Sequence, residues 1–380
     1  MTHKPIIDTK NLVPPKNKEM IFFGEYSGFQ RYDNPKYKFA VNMEERQRNA
    51  FWNPSEISMN SDSQKFWDLP EHIQEIMINV WLFQTLMDSG QNKGLEEVMA
   101  ELCTNPEFEA LFKTWGYFEL IHSLSYSHIL RGIFADSSKI FDKIAEYPEI
   151  QSRIDSEIEL YSKIKDIDQL ETLEEKKKLV LELLVSIYAL EGVKFYVSFL
   201  VTYIINNSYN NAIAGSTRII KLINFDEDLH TGMSAGLLDI LRKEKSEGFS
   251  ELMESGWYRD MVKERFQKVY DQEMDWGRYL LSIGQIPSLT ENVTSTFLKY
   301  YIDNRVQKIG VDKIYNQEKT DVVQWFMSYK NLNLDNAALQ ESDLAVYSIG
   351  IMKDDIPEGR IDEFDDIEEF RKLFESDDDL

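Results

Sequence analysis

ELIHSLSY, Glu119 to Tyr126, sets a carboxylate, an imidazole and a phenol into a run that otherwise has the composition of a buried helix. Trp115, Glu119, His122, Tyr126 and Ile129 succeed one another at steps of four, three, four and three, so all five project from one side of a helix. Phe108 and Phe112 extend that side and make it apolar. A carboxylate on such a face costs on the order of several kcal/mol unless something compensates it. A Glu and a His three residues apart on one helical face can both reach a single metal ion.

The same arrangement returns in KLINFDEDLHTG, Lys221 to Gly232. Here Ile220, Ile223, Glu227, His230, Ser234 and Leu237 form a seam with Glu-x-x-His at its centre. Two further carboxylates lie in apolar helical runs: Asp88 comes after IMINVWLFQTLM, and Glu191 sits inside LVSIYALEGVKFYVSFLV. One carboxylate, one Glu-x-x-His, a second carboxylate and a second Glu-x-x-His, each on its own helix, are the ligand pattern of a dinuclear carboxylate site in a four-helix bundle. Asp88 then takes one of the Glu positions. Oxygen-rich ligands with one imidazole per ion suit Fe(II) or Mn(II) better than a thiolate-rich zinc site. The expected ligands are therefore Asp88, Glu119, His122, Glu191, Glu227 and His230. His3, His72 and His128 join no carboxylate pattern.

Outward from these motifs, the chain of 380 residues is 43% hydrophobic and can bury a large core. Only 10 prolines and 17 glycines interrupt it, which favours long helices over many short strands. Helical patterning begins near 39 and predicts long helices near 67–87, 96–131, 151–168, 171–206, 213–246, 253–282 and 289–309, with a shorter one near 320–329. The expected fold is all-α, a four-helix-bundle core with additional helices in one domain over residues 1–350. Residues 1–18 read as an extended, loosely held arm. The charged segment 138–178 reads as a solvated face with no chemistry attached. The run 179–205 contains Glu182, Glu191 and Lys194, which makes it a poor membrane span and a good buried helix.

The formal charge of −24 argues against affinity for nucleic-acid phosphates or anionic membranes. Thirteen acidic and four basic residues between Lys353 and Leu380 set the tail apart from the body. Within it, Ile361, Phe364, Ile367, Phe370 and Phe374 recur every three or four residues. Such a stripe is disordered alone and can fold as a helix in a partner's groove. A single cysteine, Cys103, allows no disulfide and no dithiol chemistry within the chain, which suits a reducing cytoplasm.

Residue types and spacing leave Tyr126 open between two roles. It is either a core tyrosine or, one turn beyond a metal ligand, a phenol from which an O2-derived oxidant removes an electron and a proton. They also leave open an oxygenase or desaturase, a ferritin-like iron protein, or a helical scaffold whose acids are only structural.

Over roughly residues 18 to 350 the chain resembles the small, radical-generating subunit of class I ribonucleotide reductase, in its bacterial and phage tyrosyl-radical type. The segments MIFFGEYSGFQRYD, AFWNPSEI, LPEHIQ, FQTLMDS, ELIHSLSYSHILR, ALEGVKFYVSF, DEDLH and NRVQKIGVD carry the resemblance in order. It implies a ferritin-like fold and two Fe ions per chain, with Mn possible. Asp88, Glu119 and His122 would hold one ion, and Glu191, Glu227 and His230 the other. Glu119 would bridge, and Glu227 also in some states. Tyr126 matches the radical tyrosine, and Phe195, Phe199 and Ile223 the apolar pocket around it. Trp52 and Asp226 match the internal radical-transfer path, and Tyr347 the tyrosine that hands the radical on. The resemblance further implies a homodimer, O2 as co-substrate, docking of the large subunit on residues 351–380, and a cytoplasmic setting, the host's if the source is viral. One departure is visible: the family usually has Arg before the Asp-Glu pair, and Phe225 stands there, which alters the expected charge environment of Asp226.

Overall fold

The computed structural model describes residues 4–15 and 18–331. Tyr347, the acidic tail and His3 lie outside the described residues. Among those described there is no strand; a single antiparallel bridge joins Phe22 and Cys103.

The longer helices are α1 (Lys38–Asn49), α2 (Glu71–Gly94), α3 (Pro106–Ile133), α4 (Asp155–Lys165), α5 (Leu173–Ala189), α6 (Tyr196–Ser208), α7 (Ala214–Lys243), α8 (Gly256–Ile283), α9 (Glu291–Lys308) and α10 (Asp321–Lys330). A π-helical turn, Leu190–Lys194, connects α5 to α6. The core is a four-helix bundle of α2, α3, the α5–α6 pair and α7. In it α2 packs along α3, α7 packs on α3 and α5, and α6 closes against α2 and α7. Helix α1 crosses outside the bundle on α3 and α7.

Local signals explain most helix ends. Asn105 caps α3 by accepting from Phe108 N, with Pro106 at the first helical position. Thr172 and Glu175 form a reciprocal capping box at the start of α5. Helix α7 lacks a cap of its own. Buried Asp62, distant in sequence, accepts from Gly215 N and Ser216 N at 2.8 Å each and from Ser216 Oγ at 2.7 Å. A negative charge there also complements the helix dipole.

The observed helices depart from the expected ones in three places. Helix α2 runs through Asp88 to Gly94 and continues as a π turn, Leu95–Met99, so the break falls at Cys103–Asn105 and not between 87 and 96. The Asn105–Pro106 cap decides this, because it ends one helix and starts the next. The run 171–206 is likewise interrupted by the π turn at Glu191. Ser255, which caps α8, splits the helix expected over 253–282.

The span Leu173–Ser208 is apolar enough to cross a membrane, yet its most apolar 18-residue window is wholly buried by the surrounding helices. A helix that is apolar all round belongs at the centre of a large core. The residues of the N-terminal arm that are described carry no α-helix and are tied down: Asp8 N donates to Ser27 O at 2.8 Å and Lys4 Nζ to Cys103 O at 2.7 Å.

Candidate metal centre

The bundle brings six side chains from four elements to one point. Asp88 comes from α2, Glu119 and His122 from α3, Glu191 from the π turn, and Glu227 and His230 from α7; all are completely buried. Within each Glu-x-x-His pair the three-residue step puts both side chains on the inner face, so each helix needs only the correct rotation about its axis. The π turn does the same for Glu191, because an extra residue per turn shifts the face presented by the next residues.

Two overlapping clusters result. Ligand atoms of Asp88, Glu119, His122 and Glu227 lie within 4.8 Å of one another, as do those of Glu119, Glu191, Glu227 and His230. Glu119 and Glu227 belong to both, which is the arrangement of two ions sharing two carboxylates. Both imidazoles turn Nδ1 inward. His122 Nδ1 lies 3.4 Å from Glu119 Oε2 and 3.2 Å from Glu227 Oε1; His230 Nδ1 lies 3.1 Å from Glu119 Oε1 and 3.6 Å from Glu191 Oε2.

Several of these atoms have no hydrogen-bond partner: both oxygens of Asp88, Glu119 Oε2, His122 Nδ1, Glu191 Oε2 and Glu227 Oε1. Buried polar atoms are nearly always satisfied, so a group of such orphans converging on one point marks a place for ions. Charge agrees, since two divalent cations balance four carboxylates. The donor set is all oxygen and imidazole, which fits Fe(II) or Mn(II). The residues therefore fit a dinuclear metal centre.

Among the protein groups alone, the site holds protons. Burial, and then the charge of Glu119, pushes Asp88 well above the carboxylate range. Burial with Glu227 and Glu119 does the same to Glu191, and burial with Glu119 pushes Glu227 up to about 8. Burial also opposes ionisation of Glu119, but the adjacent imidazoles of His122 and His230 outweigh it and hold that carboxyl down to about 2. Burial would lower both histidines; the adjacent carboxylates of Asp226 and Glu119 raise His122, and those of Glu119 and Glu191 raise His230.

The outer face of His122 opens a second line of contacts. Its Nε2 lies 3.1 Å from Asp226 Oδ2, which also accepts from Trp52 Nε1 at 2.8 Å. Trp52, just beyond α1, stacks near His122 with ring centroids 6.3 Å apart and is itself 9% exposed. The three residues thus form a hydrogen-bonded line from near the surface to a ligand. Phe225 is 39% exposed. Asp226 gains a third donor instead: Gln47 Nε2, at 2.9 Å from its Oδ1. The charge environment that Phe225 leaves without an Arg is therefore filled by a neutral amide from α1.

Tyr126 is completely buried one turn beyond His122, and its hydroxyl makes no hydrogen bond of good geometry. Burial, then the nearby Asp88 and Glu227, push its phenol well above the ordinary range. Phe195, Phe199 and Ile223 are also fully buried, the two phenyl rings stacked at 5.9 Å. The other described histidines serve the fold: His128 Nε2 pairs with Ile57 O at 2.8 Å, and His72 Nε2 with Gln285 O at 3.2 Å.

Four residues at this centre carry roles that sequence reasoning misses. Trp115 lies on the predicted seam, where no role attaches to it; its Nε1 donates to Glu119 Oε1 at 3.0 Å and its ring stacks on His230 at 5.0 Å. Gln91, one turn after Asp88, donates from Nε2 to Glu191 Oε1 and accepts from the Tyr161 hydroxyl at 2.9 Å. Its spacing from Asp88 is a usable signal. For Tyr161 and Gln47 the sequence offers none.

Fold and site together define a helical-bundle protein with a buried dinuclear carboxylate centre and an acid–indole line leading away from it. The chain belongs to the ribonucleotide reductase small-chain family, whose model matches residues 31–322. It is 29% identical over 368 residues to ribonucleoside-diphosphate reductase 1 subunit beta of Escherichia coli O157:H7, covering 92% of this chain and 96% of that one. To the ribonucleoside-diphosphate reductase subunit beta of Enterobacteria phage T4 it is 30% identical over 369 residues, covering 89% and 93%. The ribonucleotide reductase R2 subunit from Clostridium botulinum shares the fold with a TM-score of 0.77 at 23% identity, covering 87% of this chain and 99% of that one.

Proposed function

We propose that this small subunit of a ribonucleoside-diphosphate reductase generates a radical on Tyr126 and passes the oxidising equivalent out along His122, Asp226 and Trp52. The observation that carries the proposal is the position of Tyr126: a fully buried phenol without a hydrogen bond, one helical turn from a ligand of a dinuclear site. When bound, two iron ions, or manganese, supply with O2 the power to oxidise a phenol by one electron.

The chain's own groups govern where the proton goes and how long the radical lasts. The Tyr126 phenol is held protonated, so its oxidation must release a proton with the electron, and Asp88 is the neighbouring carboxylate to take it. Tyr126 is sealed from water and external reductants by its complete burial, which supports a long-lived radical, and we assign the buried Phe195, Phe199 and Ile223 to the pocket around it. Asp226 orients His122 and the Trp52 indole through a shared oxygen, Oδ2, and can accept the indole proton as an electron leaves. Reduction of a ribonucleotide needs thiols, and the only cysteine, Cys103, is buried away from this centre. The substrate chemistry therefore belongs to a large subunit. We assign the docking of that subunit to residues 351–380 and the final hand-over to Tyr347.

A homodimer is the family's assembly. The exposed apolar side chains Tyr117, Leu120 and Leu124 on α3, with Phe51 beside Tyr117, are the surface we assign to the second copy. The lone reduced cysteine supports a cytoplasmic setting.

The test is anaerobic loading with Fe(II), then exposure to O2 and EPR. A tyrosyl signal is expected in the native chain and none in Tyr126→Phe, with metal content equal in both. An undiminished signal in that variant assigns the radical elsewhere.

A further inference from the structure

The charged segment around α4 takes no part in the radical path, yet it reaches the π turn of Glu191 at two separate points. The first runs through Gln91. The Tyr161 hydroxyl donates to Gln91 Oε1 at 2.9 Å, so the amide must present its N–H groups elsewhere, and Nε2 donates to Glu191 Oε1. The reverse orientation would set the amide oxygen against the carboxylate, acceptor facing acceptor. The acceptor-only Glu191 carboxylate therefore decides which way Gln91 points, and the Tyr161 hydroxyl holds the amide there by donating to its oxygen. Gln91 in turn occupies one oxygen of Glu191 and leaves the other, Oε2, without a partner and 3.6 Å from His230 Nδ1, on the metal side.

The second point is Lys194, three residues after Glu191 in the same π turn. It is completely buried and donates to Glu157 Oε1 of α4 at 2.7 Å and to Arg153 O at 3.0 Å. Ser156 Oγ donates to the other oxygen of Glu157 at 2.9 Å. Helix α4 can lie this close because Gly90 and Gly94, one turn apart on α2, leave a notch. A Cβ on Gly90 would collide with Ile154, and one on Gly94 with the Tyr161 ring.

We propose that α4 is a positioning element for the metal centre, in which Tyr161, acting through Gln91, holds the Glu191 carboxylate with a single oxygen toward the ions, while Glu157 anchors the π turn through Lys194. This rests on the metal-centre reading and adds to it a set of residues that touch no ion. Partners of this kind orient a ligand, and their loss lowers metal affinity.

The experiment is an anaerobic Mn(II) titration of the full chain, with free and bound Mn(II) read by EPR and melting monitored by circular dichroism. The native chain is expected to take up two ions. Gln91→Leu should weaken one of the two sites about 10- to 100-fold and leave the other within about twofold. Tyr161→Phe, which removes one oxygen atom, should weaken the same site about 3- to 10-fold and alter the spectrum of the coupled ions, with melting unchanged. Tyr279→Phe is the control, because Tyr279 donates to Asn79 of the same helix α2, away from the ligands, at 3.0 Å. It should leave both constants as they are. Two native-like binding constants in Tyr161→Phe, or an equal loss in Tyr279→Phe, would overturn the proposal. If the native chain takes up no ion, the metal-centre reading itself fails.

Discussion

Proton release on metal binding measures how tightly the centre is closed, and its size is set by the six ligands. In the protein without ions, burial and mutual repulsion raise Asp88 and Glu191, and Glu227 is pushed up to about 8. The adjacent carboxylates raise both histidines, while Glu119, held down to about 2, stays ionised. Glu227, at about 8, carries a proton at pH 7, the upward shifts of the others favour their protonated forms, and any of them that is protonated must lose its proton to act as a ligand. Two divalent ions bring four positive charges into a site sealed from water, so exchange for about four protons keeps the buried charge constant. Each exchanged proton makes the equilibrium tenfold more favourable per unit of rising pH, about 1.4 kcal/mol. Uptake of the pair should therefore strengthen by about four decades, or about 5 kcal/mol, per pH unit around neutrality. It weakens as pH falls, the sign expected when the metal-free form binds more protons. Calorimetry of anaerobic Mn(II) binding in two buffers of different ionisation enthalpy counts the protons directly. Release of one proton or none per pair would refute the reasoning, because the carboxylates would then already be ionised beside one another.

Three further outcomes test the remaining assignments. Asp226→Asn should keep its fold, because the Gln47 amide, whose Oε1 has no partner, can turn to accept from the new NH2. The loss of charge-assisted hydrogen bonds costs about 1–3 kcal/mol. Turnover with the large subunit should fall at least about 100-fold while the Tyr126 EPR signal persists; full turnover would remove Asp226 from the path. Deleting residues 361–380 should abolish binding to the large subunit, measured by surface plasmon resonance, and leave radical formation intact. Retained binding would contradict the assignment of the tail. Leu120→Glu combined with Leu124→Glu should halve the mass seen by light scattering, and a persistent dimer would place the interface on another face.

The metal ligands were legible because each cue is local. A Glu and a His three apart on an apolar seam declare a shared face without any knowledge of the other helices, and a carboxylate inside a run such as LVSIYALEGVKFYVSFLV has few other reasons to be there. The residues that hold those ligands were not legible. Gln47 meets Asp226 across 179 residues, Gln91 meets Glu191 across 100, and Tyr161 meets Gln91 across 70. Gln91 has at most its spacing from Asp88 to mark it, and Gln47 and Tyr161 do not depart from what a solvated or core helix carries. The expected break near 87–96 shows the same limit, since the polar run SGQNKG looks like a loop until its glycines are seen to receive α4. Helix periodicity and residue chemistry thus pointed from the sequence alone to the all-helical bundle and to the six residues that it brings together. Tertiary packing alone decided which carboxylate oxygens converge at the centre and which line of groups leads away from it. Those choices depend on the rotation and approach of helices far apart in the chain, and a hydrogen bond forms or fails over a few tenths of an ångström.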